Sequence, residues 1–66
     1  MREFRLAGFR EAIALVNRIA DLAESENHHP DLEIHYDRVA VRWWTHTVGG
    51  VTDRDRELAA KTSELL

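Results

Sequence analysis

The chain has 66 residues, enough for one small domain, which we predict to span residues 1–66. It contains no cysteine, which excludes disulfides and thiolate metal sites, and no apolar run approaches the ~20 residues that a membrane span needs. The net charge is −3 with acids and bases interleaved, without the basic stripe of a nucleic-acid-binding protein. We therefore expect a cytoplasmic protein that binds neither membranes nor nucleic acid.

The small size of the chain also predicts self-association. A folded chain of this length buries only ~60% of the surface that its unfolded form exposes, so its stability as a monomer is marginal. Without cysteine, neither disulfides nor thiolate-bound zinc can add to that stability. We therefore expect a homo-oligomer.

The first predicted elements are a short strand and a long helix. Phe4–Ala7 alternates apolar and polar residues, which predicts a strand, and Gly8 interrupts it. Between Phe9 and about Glu26, apolar residues recur at spacings of three and four, which predicts an amphipathic helix. The apolar stripe consists of Phe9, Ala12, Ile13, Val16, Ile19, Ala20 and Ala23, with Leu15 and Leu22 widening it on one flank. This width fits packing on a sheet and equally a helix–helix contact between subunits.

A hairpin is predicted after the helix. Pro30 disfavours helical geometry in the residue before it, so the helix should end at about residues 27–28. Leu32–Tyr36 and Val39–His46 then alternate apolar and polar residues, which predicts two antiparallel strands joined by a two-residue turn at residues 37–38.

The register of this hairpin determines which side chains converge. With the turn at residues 37–38, Glu33 faces Arg42 as an oppositely charged cross-strand pair. Extending the same register places His29 opposite His46, although the proline between the histidines and the strand can interrupt the ladder. His28 is next to His29, so we expect three imidazoles at one end of the hairpin.

Three converging histidines suit general acid–base catalysis, because the unperturbed pKa of histidine lies nearest neutrality. For His28 and His29 alone, capping of the helix C-terminus is a sufficient structural explanation. His46 makes a functional cluster equally well supported, so both interpretations stay open. A zinc site is a further alternative, but the chain lacks the His-x-x-x-His spacing of helical zinc ligands, and we predict no metal.

The C-terminal part predicts a loop and a second helix. Thr47–Val51 contains two adjacent glycines, which favour a loop. Thr52 and Asp55 have the spacing of a capping box, which predicts that a helix starts after Thr52. The order of elements is strand, helix, hairpin, helix. We therefore predict an α+β fold with helices packed on one face of an antiparallel sheet.

Three other residues are open to structural explanations. Trp44 lies on the polar face of the predicted hairpin, where an exposed indole suits a subunit interface or a flat ligand that stacks on it. From their positions alone, Glu24 is a helix-surface acid and Asp55 is a capping residue.

A set of residues at fixed spacings runs through the chain: Glu24, His28, His29, Pro30, Tyr36, His46 and Asp55. This pattern, together with Thr45 before His46 and Gly50-Val51-Thr52 before Asp55, resembles the pterin-4a-carbinolamine dehydratase family over essentially the whole chain. The resemblance implies a hydro-lyase that converts 4a-hydroxytetrahydropterin into quinonoid dihydropterin in pterin recycling. It implies no metal, no organic cofactor, and a homodimer or homotetramer.

The resemblance also implies roles for particular residues. The catalytic residues are His28, His29 and His46, the substrate-binding residues are Asn27, Trp44, Thr45 and Thr47, and the supporting residues are Glu24, Pro30 and Asp55. Family members usually carry a helix and a strand before the position of Phe4, which implies a shortened member. Trp44 stands where the family commonly has a small Ser or Thr. These two departures leave an alternative, a catalytically weak or inactive module that binds a pterin or a protein partner.

Overall fold

The computed structural model describes all residues 1–66 as three antiparallel strands and two helices. The elements are β1 (Arg2–Arg5), α1 (Phe9–Glu26), β2 (Asp31–His35), β3 (Arg38–Arg42) and α2 (Asp53–Ser63). The strands lie in the order β1–β3–β2, so the second strand of the hairpin is the central strand of the sheet. This arrangement confirms the predicted α+β class, with β1 starting and ending two residues before the predicted strand.

The hydrophobic core lies between the helices and one face of the sheet. Its buried members are Ala12, Leu15, Ile19, Ala23, Val39, Val41, Trp43 and Leu58. The prediction for α1 was partly wrong, because Leu15 is fully buried whereas Phe9 is 51% exposed and Ala20 is exposed. Helical geometry explains the difference: Leu15 lies on the same face as Ala12 and Ile19, and the two exposed residues lie about a quarter-turn away.

The turn of the hairpin lies one residue earlier than predicted, at residues 36–37. His35 pairs with Arg38, and Glu33 pairs with Ala40 instead of the predicted arginine. The reason is that Tyr36 adopts a φ of 51°, the left-handed conformation that two-residue hairpin turns need at their first position. The register therefore shifts by two residues. Because side chains alternate with a period of two, every residue keeps its predicted face of the sheet.

The hairpin ladder is also shorter than predicted. Its last pair is Asp31 with Arg42, so β3 ends four positions before His46 instead of continuing to it. Pro30 precedes this pair and has no N–H to donate to a further rung. The predicted cross-strand pairing of His29 with His46 is therefore wrong.

Local hydrogen bonds set the ends of the helices. Asn27 ends α1 with a φ of 50°, and the His28 N–H donates to the Ala23 carbonyl at 3.1 Å, the pattern of a Schellman motif. The start of α2 has the predicted capping box between Thr52 and Asp55, which is confirmed. Neither helix is long and apolar enough to cross a membrane.

Trp43 connects the sheet to α2. Its indole N–H donates to the Thr62 hydroxyl at 2.8 Å, and that hydroxyl donates to the Leu58 carbonyl at 2.7 Å. All three residues are buried. This contact fixes the position of α2, and hence of its first turn, relative to the end of β3.

Candidate active site

An open cavity of about 340 Å³ lies where the end of α1 meets the segment that follows β3. Its lining consists of two short runs of chain: Asn27, His28 and His29, and Thr45, His46 and Thr47. The structure therefore brings the three predicted histidines to one cavity, although the strand pairing that predicted it is wrong. The left-handed conformation of Asn27 turns the chain at the end of α1, so that the first run lies along the cavity. The second run is held by a bridge in which the Thr45 N–H donates to the Gly50 carbonyl at 2.7 Å.

His28 is the most enclosed of the three histidines, with its side chain 16% exposed. Its Nε2 lies 2.7 Å from Oδ1 of Asp55, a carboxylate that is completely buried. The imidazole also stacks on Trp43, with ring centroids 6.0 Å apart and planes inclined by 9°. The ring is therefore fixed on its edge by the carboxylate and on its face by a core residue.

Asp55 is held in its ionised form by four hydrogen-bonding groups. Burial by itself raises the pKa of Asp55, but hydrogen bonds from the Thr45 hydroxyl, the Thr52 N–H, the His28 ring and the Thr52 hydroxyl outweigh it. The pKa of this carboxyl is consequently well below its ordinary value. The bonds to Oδ2 are short: 2.7 Å from the Thr45 hydroxyl, and 2.8 and 2.9 Å from the N–H and hydroxyl of Thr52.

His29 has a different environment from its neighbour. Its Nε2 lies 2.6 Å from Oε2 of Glu24, and the two side chains are 60% and 77% exposed. Glu24 lies on the last turns of α1, so the helix supplies the partner of a residue just beyond its own end. The contact orients the ring at the surface of the cavity, where solvent weakens the interaction.

His46 lies across the cavity and is held by an aromatic contact. Its imidazole stacks on the indole of Trp44, with centroids 4.0 Å apart and planes inclined by 27°. The guanidinium of Arg42 lies 5.0 Å from the centre of the same indole. The indole N–H donates to Oδ2 of Asp31 at 2.7 Å.

The four predicted substrate-binding residues differ in what their side chains do. Asn27 and Thr47 line the cavity and are exposed. Thr45 also lines it, but its hydroxyl is bonded to Asp55. Trp44 does not line it, and its N–H is bonded to Asp31. Pro30, one of the predicted supporting residues, is half-buried and does not line the cavity either.

Sequence reasoning missed two residues that contact the site, Trp43 against the ring of His28 and Asp31 against the indole of Trp44. The alternation of the hairpin contained the signal for the first, since it places Trp43 on the inner face. The predicted register placed Asp31 opposite Trp44; in the structure Asp31 pairs with Arg42 instead, but its side chain does contact the indole of Trp44. No group of three or more His, Asp and Glu side chains has the arrangement of a metal site.

Comparison with known proteins adds to this geometry. The sequence model of the family described as "Pterin 4 alpha carbinolamine dehydratase" matches residues 1–65. Proteins named "Putative pterin-4-alpha-carbinolamine dehydratase" are similar to the chain. The one from Xanthomonas euvesicatoria is 52% identical over 64 residues, which are 97% of this chain and 54% of that protein. The one from Thermomicrobium roseum is 51% identical over 65 residues, which are 98% of this chain and 70% of that protein.

A solved structure shares the fold. The transcriptional coactivator/pterin dehydratase from Brucella melitensis superimposes with a TM-score of 0.90 and 34% sequence identity, over 97% of this chain and 68% of that one. The chain thus spans about half the length of the Xanthomonas relatives and about two thirds of the Brucella structure.

Proposed function

This chain belongs to the pterin 4 alpha carbinolamine dehydratase family, and we propose that it dehydrates a 4a-hydroxytetrahydropterin to a quinonoid dihydropterin. The observation that carries the proposal is the single cavity lined by His28, His29 and His46. We propose further that residues 1–66 form one domain of this family. A single core cluster that joins both helices to the sheet supports this.

The proposed reaction is a proton-transfer reaction without oxidation or reduction. The C4a–O bond breaks, its electron pair leaves with the hydroxyl group, and that group takes up one proton to become water. N5 loses its proton, and its electron pair forms the new double bond to C4a. An acid must therefore protonate the leaving hydroxyl while a base accepts the N5 proton. Imidazole can take either part near neutral pH.

The contact between His28 and Asp55 supports a defined protonation state for this ring. A carboxylate that stays ionised can only accept a hydrogen bond, so Nε2 of His28 must carry the proton in the 2.7 Å contact. The neutral ring then has its lone pair on Nδ1, which makes His28 a candidate for the base. The buried carboxylate is also placed to stabilise positive charge on the ring as the proton arrives.

His29 and His46 complete the proposed set from the exposed side of the cavity. Both rings are reached by solvent, so either can exchange protons with water between turnovers. Asn27 and Thr47 carry exposed polar side chains on the same lining, and we propose that they bind the pterin ring. Glu24 and Asp55 act through the histidines that they contact.

The test is the rate of breakdown of 4a-hydroxytetrahydropterin, followed by stopped-flow absorbance. Replacing His28, His29 or His46 by Ala should lower the rate, by about 10²–10⁴-fold for a residue that transfers a proton in the transition state. The matched control is His35→Ala, an exposed histidine near the hairpin turn whose ring lies 3.5 Å from the carboxylate of Glu33 and outside the cavity.

Two outcomes contradict the proposal. An unchanged rate in the double variant His29→Ala, His46→Ala excludes the proposed mechanism. Binding of a pterin by calorimetry without any turnover supports the alternative function, a dehydratase-like binding module.

A further inference from the structure

Each histidine of the cavity is oriented by a different kind of contact. His28 and His29 each have a carboxylate partner, at 2.7 and 2.6 Å. The His46 ring makes no hydrogen bond or ion pair within the chain, and its close contact is the indole of Trp44 at 4.0 Å. An exposed ring without a hydrogen bond samples several rotamers unless packing restricts it. The orientation of His46 therefore depends on how firmly Trp44 is held.

Trp44 is held by the last pair of the hairpin ladder. Asp31 and Arg42 face each other in the register, and both contact the indole. Asp31 accepts the indole N–H at 2.7 Å, and the guanidinium of Arg42 lies 5.0 Å from the ring centre. One contact fixes the ring edge and the other covers part of its face, so the indole is anchored to the regular end of the sheet.

We infer that Trp44, anchored by Asp31, is a positioning residue that sets the orientation of His46 in the cavity. The catalytic consequence of this inference rests on the proposed function. Stacking limits the rotation of the imidazole, and a misplaced catalytic group slows a reaction steeply, by up to ~100-fold for an error of about 1 Å. Trp44 thus acts through His46, and its indole also contacts two other side chains, those of Asp31 and Arg42.

Kinetic constants separate this role from stacking of Trp44 on the pterin. Trp44→Ser should lower kcat by about 10-fold while KM changes by less than about 2-fold, because the ring it removes orients a catalytic residue. Trp44→Phe keeps an aromatic face but loses the bond to Asp31, so its kcat should lie between those of Trp44→Ser and the unaltered chain.

The anchor is tested by two substitutions of one residue. Asp31→Ala should lower kcat as Trp44→Phe does, and Asp31→Asn, whose amide oxygen still accepts a hydrogen bond, should restore most of it. Tyr36→Asn is the control and should leave kcat unchanged, because Tyr36 is an exposed aromatic residue at the other end of the hairpin. A rise in KM at constant kcat for Trp44→Ser overturns the inference in favour of substrate contact. Unchanged kcat and KM in Trp44→Ser also overturn the inference.

Nuclear magnetic resonance tests the geometry without any turnover. Protons on a ring stacked over an indole are shifted upfield, so the His46 ring protons should resonate upfield of those of exposed His35, and Trp44→Ser should remove the difference. Equal shifts for the two histidines in the unaltered chain contradict the inference. An upfield shift that Trp44→Ser abolishes, in a chain without turnover, supports the positioning and contradicts the dehydratase function.

Discussion

Asp55 serves the helix and the site with the same carboxylate. One oxygen, Oδ2, completes the cap of α2 by accepting from the N–H and hydroxyl of Thr52. The other, Oδ1, accepts from His28. Folding of α2 therefore orients the candidate base, and loss of the cap is expected to disturb the cavity as well as the helix.

The depressed pKa of Asp55 predicts how stability depends on pH. The folded pKa is lower than the unfolded one, so the contribution of Asp55 to stability is fully present above the unfolded value of ~3.9 and is lost as the pH falls below it. Asp55→Asn should flatten the fall in unfolding free energy below about pH 5, and should cost ~1–3 kcal/mol at pH 7 because buried donors lose a charged acceptor.

Asp53→Asn is the matched control for Asp55→Asn. It makes the same substitution in the same turn of α2, at a side chain that is 95% exposed. Urea unfolding monitored by circular dichroism between pH 3 and 7 gives the free energies. Equal pH profiles for the two variants would show that the hydrogen bonds of Asp55 do not set its pKa.

At the scale of elements, the sequence predicted the order, class and faces of the fold but not its hairpin register. Which side chains face the core follows from the alternation of apolar and polar residues, and a register shift of two residues leaves these faces unchanged. The register depends on the turn, and the left-handed φ of 51° at Tyr36 has no sequence signal, because tyrosine does not favour that region. The predicted register placed Trp44 opposite Asp31, whereas in the structure Asp31 pairs with Arg42 and β3 ends before Trp44, so the two side chains meet beyond the end of the ladder.

The position of α2 on the sheet predicts a stability difference between two similar variants. Thr62→Val removes the hydroxyl that accepts from the buried Trp43 N–H at 2.8 Å, and it should cost ~1–3 kcal/mol because the donor is left unpaired. Thr62→Ser keeps the hydroxyl and removes one methyl group, for a cost of ~0.8 kcal/mol. The midpoints of urea unfolding measure both losses of stability, provided that the denaturant slope m is the same in the two variants. Equal midpoints would indicate that the indole finds another partner or that α2 shifts.

At the scale of the whole molecule, the core is small and one side of α1 remains apolar outside it. Only 11 of the 66 residues are buried, so the chain has limited means of offsetting its conformational entropy. The stripe next to the core face of α1, here called the outer stripe, comprises Phe9, Ile13, Val16 and Ala20. Phe9 and Ala20 are exposed and the other two are half-buried. All four residues belong to the apolar stripe that the sequence predicted for α1, and the sheet does not cover all of that stripe.

We propose that the outer stripe of α1 is the contact between copies of this chain. Ala20→Glu should leave the chain monomeric, because it places a charge at the C-terminal end of the outer stripe without touching the buried core. Ala60→Glu, the same substitution at an exposed position on α2, should leave the mass unchanged. Sedimentation velocity over a range of concentrations measures the masses, and the unfolding midpoint should rise with concentration only where the chain associates. A monomer at every concentration, or an oligomer that Ala20→Glu leaves intact, would mean that the outer stripe does not mediate self-association.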